Sequence, residues 1–234
     1  MAKIISNEQV DQNIYLLKIE GKFAGEMGQF YMVRAWEQYP VLSRPLSIHN
    51  IEENSISFLY AVVGEGTEIL SKLKVNDEIK IEGPYGNGFP RVKGKVALVG
   101  GGMGVAPLYL AAKNLKGMDG IKELDIYMGF REKVILEETY KAYADQFYFK
   151  VGGKITDDVN VSQYDYVFTC GPEIMMKQIV KMAKKSDTKV YVSIEKRMAC
   201  GIGACLVCTC KTKDGNKKAC KDGPVFLGEE IYDV

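Results

Sequence analysis

The chain has 234 residues, 47% of them hydrophobic and 26% charged, which is the length of two modest domains and the composition of an ordinary globular protein. Extended disorder and collagen-like repeats are excluded. Thirty-one basic and 30 acidic residues leave a formal net charge of +1, without the basic excess of a nucleic-acid surface. A single histidine, His49, argues against a His-based zinc hydrolase or a Ser-His-Asp triad.

Short runs rich in β-branched and aromatic residues come first in chain order, at 14–21, 29–36, 45–52, 55–63 and 77–86. Turn residues separate them, so they read as strands. Their spacing, with little helix between, predicts an antiparallel β-barrel or sandwich. One short helix is predicted at 64–74, capped by Thr67, with Ile69, Leu70 and Leu73 as its apolar stripe. After Pro90 the rhythm changes. The continuous apolar run 95–101 reads as a strand buried on both faces. Helix patterns at 106–116, 134–144 and 172–186 then alternate with strand patterns at 123–130, 147–153, 164–171 and 189–195. That alternation predicts a doubly wound parallel sheet. Residues 196–234 show neither period, and no internal repeat or long linker stands out. The expected fold class is therefore β plus α/β: an antiparallel flavin-type barrel at 1–92, a Rossmann-like parallel-sheet domain at 93–194 and a small C-terminal module at 195–234.

Seventeen uncharged residues lie between Lys95 and Lys113, the short limit for a membrane span. Three consecutive glycines and Pro107 would break a helix there, so strand, glycine loop and helix are expected instead. The opening MAKIISNEQV has no apolar signal-peptide core. A cytoplasmic chain, away from membranes, is expected, and in that setting clustered cysteines hold metal more often than disulfides.

Five of the six cysteines fall in the last 35 residues. Cys200, Cys205, Cys208 and Cys220 have the C-x4-C-x2-C…C spacing of plant-type 2Fe-2S sites. Ala199, Gly201, Gly203 and Ala204 keep the intervening path clear, so backbone amides can approach the sulfurs and tune the potential. A structural zinc site usually pairs two C-x2-C knuckles, and only one is present. Cys210 reads as a small strand residue just beyond the loop. Upstream, Gly101, Gly102 and Gly104 lie between the buried strand and a helix opened by Pro107. Such a turn lets backbone N–H groups approach a pyrophosphate. From Gly102 the spacing reads G-x-G-x-x-P, where the usual fingerprint ends in Gly or Ala. The segment Gly129-Phe130-Arg131-Glu132 does not choose between NAD and NADP. Cys170-Gly171-Pro172 ends another buried strand at the edge where open α/β sheets bind ligands. Cys170 there is a nucleophile, a polarizable wall beside a bound nicotinamide ring, or core packing.

Arg44-Pro45-Leu46-Ser47 in a β-domain, followed by the GGxGxxP loop and the CGP turn, resembles the ferredoxin–NADP reductase family over nearly the whole chain. The resemblance implies that Arg44 holds the FAD pyrophosphate and that the residues around Ser47 face the isoalloxazine. Leu46 departs from the aromatic residue that many members carry there. With MACGIGACLVCTC and CKDGPVF added, the chain more closely resembles the electron-transfer subunits of type B dihydroorotate dehydrogenases. That resemblance implies FAD, a 2Fe-2S cluster and NAD as cofactors. It further implies a heterotetramer with two FMN-containing catalytic subunits, a place in pyrimidine biosynthesis, and a FAD site lined by Leu59, Tyr60, Ala61, Gly66 and Thr67. Hydride transfer at FAD needs no acid–base residue from the chain, in keeping with its poverty of histidine. Two alternatives stand beside this reading. One is the small subunit of another flavin/iron–sulfur reductase, linked to NAD(P)H:ferredoxin or sulfide chemistry. The other is a zinc-stabilised nucleotide-binding regulator without redox activity.

Overall fold

The computed structural model describes residues 1–233. The first part is a seven-stranded antiparallel sheet in the order β4-β3-β7-β1-β2-β6-β5. Its strands are β1 (Ala2–Asp11), β2 (Ile14–Glu20), β3 (Phe30–Arg34), β4 (Arg44–Ser47), β5 (Asn50–Glu52), β6 (Ser55–Ala61) and β7 (Glu78–Tyr85). The two edge strands, β4 and β5, are nearly consecutive in sequence. Ile48 donates its N–H to Gln29 O and His49 donates to Ser57 O, so this two-residue crossing closes the sheet into a barrel. Ile4, Leu17, Ile19, Val33, Ile56 and Phe58 fill its interior.

The predicted strand at 45–52 is thus two strands, broken where the chain crosses. β1 was not legible as a strand. Its Ser6-Asn7-Glu8-Gln9 stretch has low strand preference and pairing slips occur around Ser6 and Asp11, yet β2 and β7 hold it on both sides. Helix α1 (Glu65–Ser71) is capped by Gly64, not by Thr67. The Thr67 hydroxyl instead accepts from Gly64 N at 3.2 Å and donates to Gly64 O at 2.8 Å, closing the helix start from inside its first turn.

The second part is a six-stranded sheet in the order β10-β9-β8-β11-β12-β15. Strands β8 (Gly94–Gly101), β9 (Ile121–Phe130), β10 (Gln146–Val151), β11 (Tyr166–Cys170) and β12 (Lys189–Ser193) are parallel. Helices α2 (Leu108–Lys116), α3 (Glu137–Lys141) and α4 (Glu173–Ala183) pack against it. Helix α3 is shorter than the 134–144 expected, since Leu136 just before it takes a left-handed φ of 53°. The uncharged run after Lys95 becomes β8, a 3-10 turn (Gly102–Val105) and α2. Among the described residues, no helix is long and apolar enough to cross a membrane.

The C-terminal segment, which showed no period, contains short elements: a hairpin of β13 (Thr209–Thr212) and β14 (Gly215–Lys218), then β15 (Val225–Leu227) and α5 (Gly228–Ile231). β15 pairs antiparallel with β12, so the chain returns to complete the nucleotide-type sheet. These runs are too short for periodicity to register.

Candidate functional site

The sheet order runs outward from β8 in both directions, and β8 and β11 flank the reversal. Loops after such neighbouring strands bind ligands in open α/β sheets. Here those loops are the glycine turn and the Cys170-Gly171-Pro172 turn, and they touch. A Cβ on Gly104 would sit 2.1 Å from Cys170 O, so only glycine lets the two loops meet. Gly102 has open space around its Cβ direction and φ of 53°, which leaves its backbone accessible to a ligand. The thiol of Cys170 is half-buried, and burial pushes its pKa up to about 12. It stays protonated at neutral pH, which suits a wall better than a nucleophile. The 3-10 turn rests against β6, setting this crevice beside the barrel.

On the barrel side, Arg44 lies at the start of β4 with its guanidinium 5.3 Å from the Trp36 ring centre. A Cβ on Gly66 would come within 2.5 Å of Arg44 Nε. The missing side chain is therefore what lets the guanidinium lie across the start of α1. Arg34 braces the same loop, donating to Val41 O at 2.9 Å and to the carbonyls of Trp36 and Glu37. The sequence reading missed Trp36, although it is the only tryptophan in the chain and stands eight residues before Arg44. Pro45 and Ser47 are half-buried, whereas Leu46 belongs to the core. Leu59 and Tyr60 are buried, Tyr60 donating to Asn7 Oδ1 at 3.2 Å. Ala61 at the strand end is half-buried. Arg44, Gly66 and the end of β6 thus form a cradle that fits a charged pyrophosphate beside an apolar wall.

The four ligand-spaced cysteines lie in the C-terminal segment, Cys208 and Cys220 buried, Cys200 half-buried and Cys205 exposed. Among the described residues no three ligating side chains converge as they would around one metal ion. Two backbone amides are aimed at two of the four sulfurs. Cys205 N donates to Cys200 Sγ and Cys220 N to Cys208 Sγ, both at 3.4 Å. Backbone N–H groups aimed at cysteine sulfurs are the contacts that tune an iron–sulfur cluster. Backbone N–H donors, Cys205 first, draw the Cys200 thiol down to about 6, while burial pushes Cys220 up to about 12. Gly201 and Gly203 have φ of 73° and 83°, a left-handed path that glycine follows without strain. Cys208 and Cys220 pack with Phe30 and Met32 of the barrel. Cys210 lies in β13, buried, its Sγ–H directed at Lys217 O 3.4 Å away.

A cleft of about 450 Å3 opens elsewhere, between Tyr166 and Lys189 at the amino ends of β11 and β12. It contains none of the motif residues and lies at the opposite end of the strands from the glycine turn.

Comparison with known proteins places these features. The family described as the iron-sulfur cluster binding domain of dihydroorotate dehydrogenase B matches residues 195–232. The dihydroorotate dehydrogenase B (NAD(+)), electron transfer subunit of Clostridium acetobutylicum is 52% identical, with 98% of this chain and 95% of the relative covered. The chain belongs to this family of electron transfer subunits. Its Clostridium perfringens member is 43% identical over 98% of this chain and 96% of its own length. Among solved structures, the NADH-dependent reduced ferredoxin-NADP oxidoreductase superposes with a TM-score of 0.88 at 27% identity, covering 99% of this chain and 90% of that one. The ferredoxin reductase of carbazole 1,9a-dioxygenase shares the fold at a TM-score of 0.66 and 19% identity, over 80% of this chain and 65% of that one. The expected β plus α/β architecture with its iron–sulfur module is thereby borne out.

Proposed function

We propose that this chain carries electrons between the FMN of a dihydroorotate dehydrogenase catalytic subunit and NAD+, as an oxidoreductase subunit in pyrimidine biosynthesis. The reading rests on the 52% identity to a dihydroorotate dehydrogenase B electron transfer subunit across 98% of the chain. When bound, a 2Fe-2S cluster supplies one-electron transfer and FAD supplies the pairing of two electrons for hydride exchange with the nicotinamide.

The chain's own residues position these groups. Cys200, Cys205, Cys208 and Cys220 would ligate the cluster. Arg44 would hold the FAD pyrophosphate by charge-assisted hydrogen bonds, oriented by Trp36 and admitted by Gly66. Pro45, Ser47 and Ala61 would line the flavin side of the crevice, with Leu59, Tyr60 and Thr67 behind them. Gly101, Gly102 and Gly104 would offer backbone to the NAD pyrophosphate, while Cys170, Gly171 and Pro172 bound the nicotinamide end. Two such chains joining two catalytic subunits in the cytoplasm, docked largely through residues 196–234, complete the reading.

A second reading has one observation behind it: the 27% identity to a reduced ferredoxin-NADP oxidoreductase at a TM-score of 0.88. One experiment separates the two. The chain, loaded with FAD and cluster, is mixed with the dihydroorotate dehydrogenase catalytic subunit of the same organism, and NAD+ reduction is followed with dihydroorotate or with reduced ferredoxin as donor. Turnover with dihydroorotate is expected. Turnover with ferredoxin alone overturns the proposal.

A further inference from the structure

Leu206 stands between Cys205 and Cys208, and the loop's own packing accounts for neither its backbone nor its side chain. Its φ is 62°, a left-handed conformation that glycine or asparagine adopts far more cheaply than a leucine does. The residue is also 61% exposed, so little contact within the chain offsets that cost. Thr209 holds the turn, donating its N–H to Leu206 O at 3.1 Å and its Oγ1 at 2.6 Å. Both bonds go to the backbone, and glycine at this position would accept them equally well. A bulky apolar side chain kept in a strained, solvent-facing turn has its use outside the chain.

The surroundings say what kind of partner that is. Ile202 and Val207 flank the turn at 61% and 54% exposure. Cys205 is exposed while Cys208 and Cys220 are buried, so this is the edge where the cysteine cluster comes nearest the surface. Along the sequence the charge of this segment is one-sided: residues 196–222 hold seven Lys and Arg against two Asp, in a chain whose net charge is +1. Lys196, Arg197 and Lys221 are exposed. An apolar centre with a charged rim is the anatomy of a protein–protein contact, the centre giving affinity and the rim steering and register.

The geometry points to Leu206 as the anchor by which this chain docks on its catalytic subunit, entering an apolar socket whose acidic border meets Lys196, Arg197 and Lys221. The inference rests on the electron-transfer pairing proposed above. Leu206→Gly and Leu206→Asn relax the turn and delete the anchor. Purified with FAD and cluster, both variants are expected to keep the wild-type cluster absorbance and to unfold at or above the wild-type midpoint. Their dissociation constants for the catalytic subunit should rise about ten- to hundredfold, the loss of one buried leucine. Added salt should weaken the wild-type association further. Unchanged dissociation constants overturn the anchor. A lowered midpoint or lost cluster absorbance overturns it too, by assigning Leu206 to the loop's internal packing. Association indifferent to salt removes the acidic border. Failure of the wild-type chain to bind the catalytic subunit at all would instead refute the pairing itself.

Discussion

Cys210 is a fifth thiol two residues from Cys208, set apart from the other four by their ligand spacing and, independently, by the fold. Its sulfur points into the β13–β14 hairpin toward Lys217 O, whereas backbone amides are aimed at the sulfurs of Cys200 and Cys208. Serine at 200, 205, 208 or 220 should abolish or strongly perturb the cluster, because a hydroxyl is a poor soft ligand for iron. Serine at 210 should leave iron content and visible absorbance unchanged; loss of iron there would sink the assignment. Arg44→Ala is a second test at this scale. Removing a charge-assisted contact should weaken FAD binding by about 1.5–3 kcal/mol, read from flavin titration of the apoprotein, and unchanged affinity would remove Arg44 from the pyrophosphate. The cysteines were legible in sequence because ligand spacing is local. Trp36 was not, because its tie to Arg44 runs across a loop whose shape depends on Arg34. Gly66 was named only through the family resemblance; its local sequence looks like any helix-start glycine until the guanidinium is seen lying over it.

His49 shows how elements from the two main parts are fastened. It leaves the β4–β5 crossing, its Nδ1 sits 3.0 Å from Ala106 O, and its ring stacks on Tyr109 of α2 with centres 4.6 Å apart. Burial lowers its pKa from 6.5 to about 4, the Ala106 bond opposing only in part. The folded chain therefore refuses a proton that the unfolded chain accepts. Above about pH 6.5 this costs nothing. As pH falls from there toward 4, stability should decline by about 3 kcal/mol from this residue alone. Urea unfolding of wild type and His49→Phe across that window isolates the effect from the carboxylates, which titrate in both. An identical decline in the variant would discard it. The sequence announced a lone histidine but not this role, since a contact between residues 57 positions apart leaves no local pattern. By contrast β8, its glycine turn and α2 were legible together, because a buried strand, a glycine run and a helical stripe are each local signals.

At the scale of the whole molecule, the C-terminal residues do more than carry cysteines. β15 adds an antiparallel edge to the parallel sheet at β12. Asn87, just past the barrel, accepts from Val225 N and donates to Gly223 O, while Phe89 stacks on Phe168 of β11 with centres 4.7 Å apart. Met32 and Phe30 of the barrel share a core with Cys208, Cys220 and Phe226. A cut after residue 194 would thus split one sheet and one core. If residues 195–234 were an independent appendage, the shortened chain would keep its fold and its FAD. The packing says otherwise. Phe226 is 4% exposed, and losing one such side chain costs about 3–5 kcal/mol against a total stability of about 5–15 kcal/mol. Loss of the β12 edge pairing adds to that. The shortened chain should therefore unfold at a much lower temperature and purify with little flavin, even though none of the FAD-side residues has been removed. Thermal unfolding and flavin-to-protein ratio measure both. A shortened chain with the full-length midpoint would mean that the segment is held only at its own cysteines, and that the sheet closes without β15.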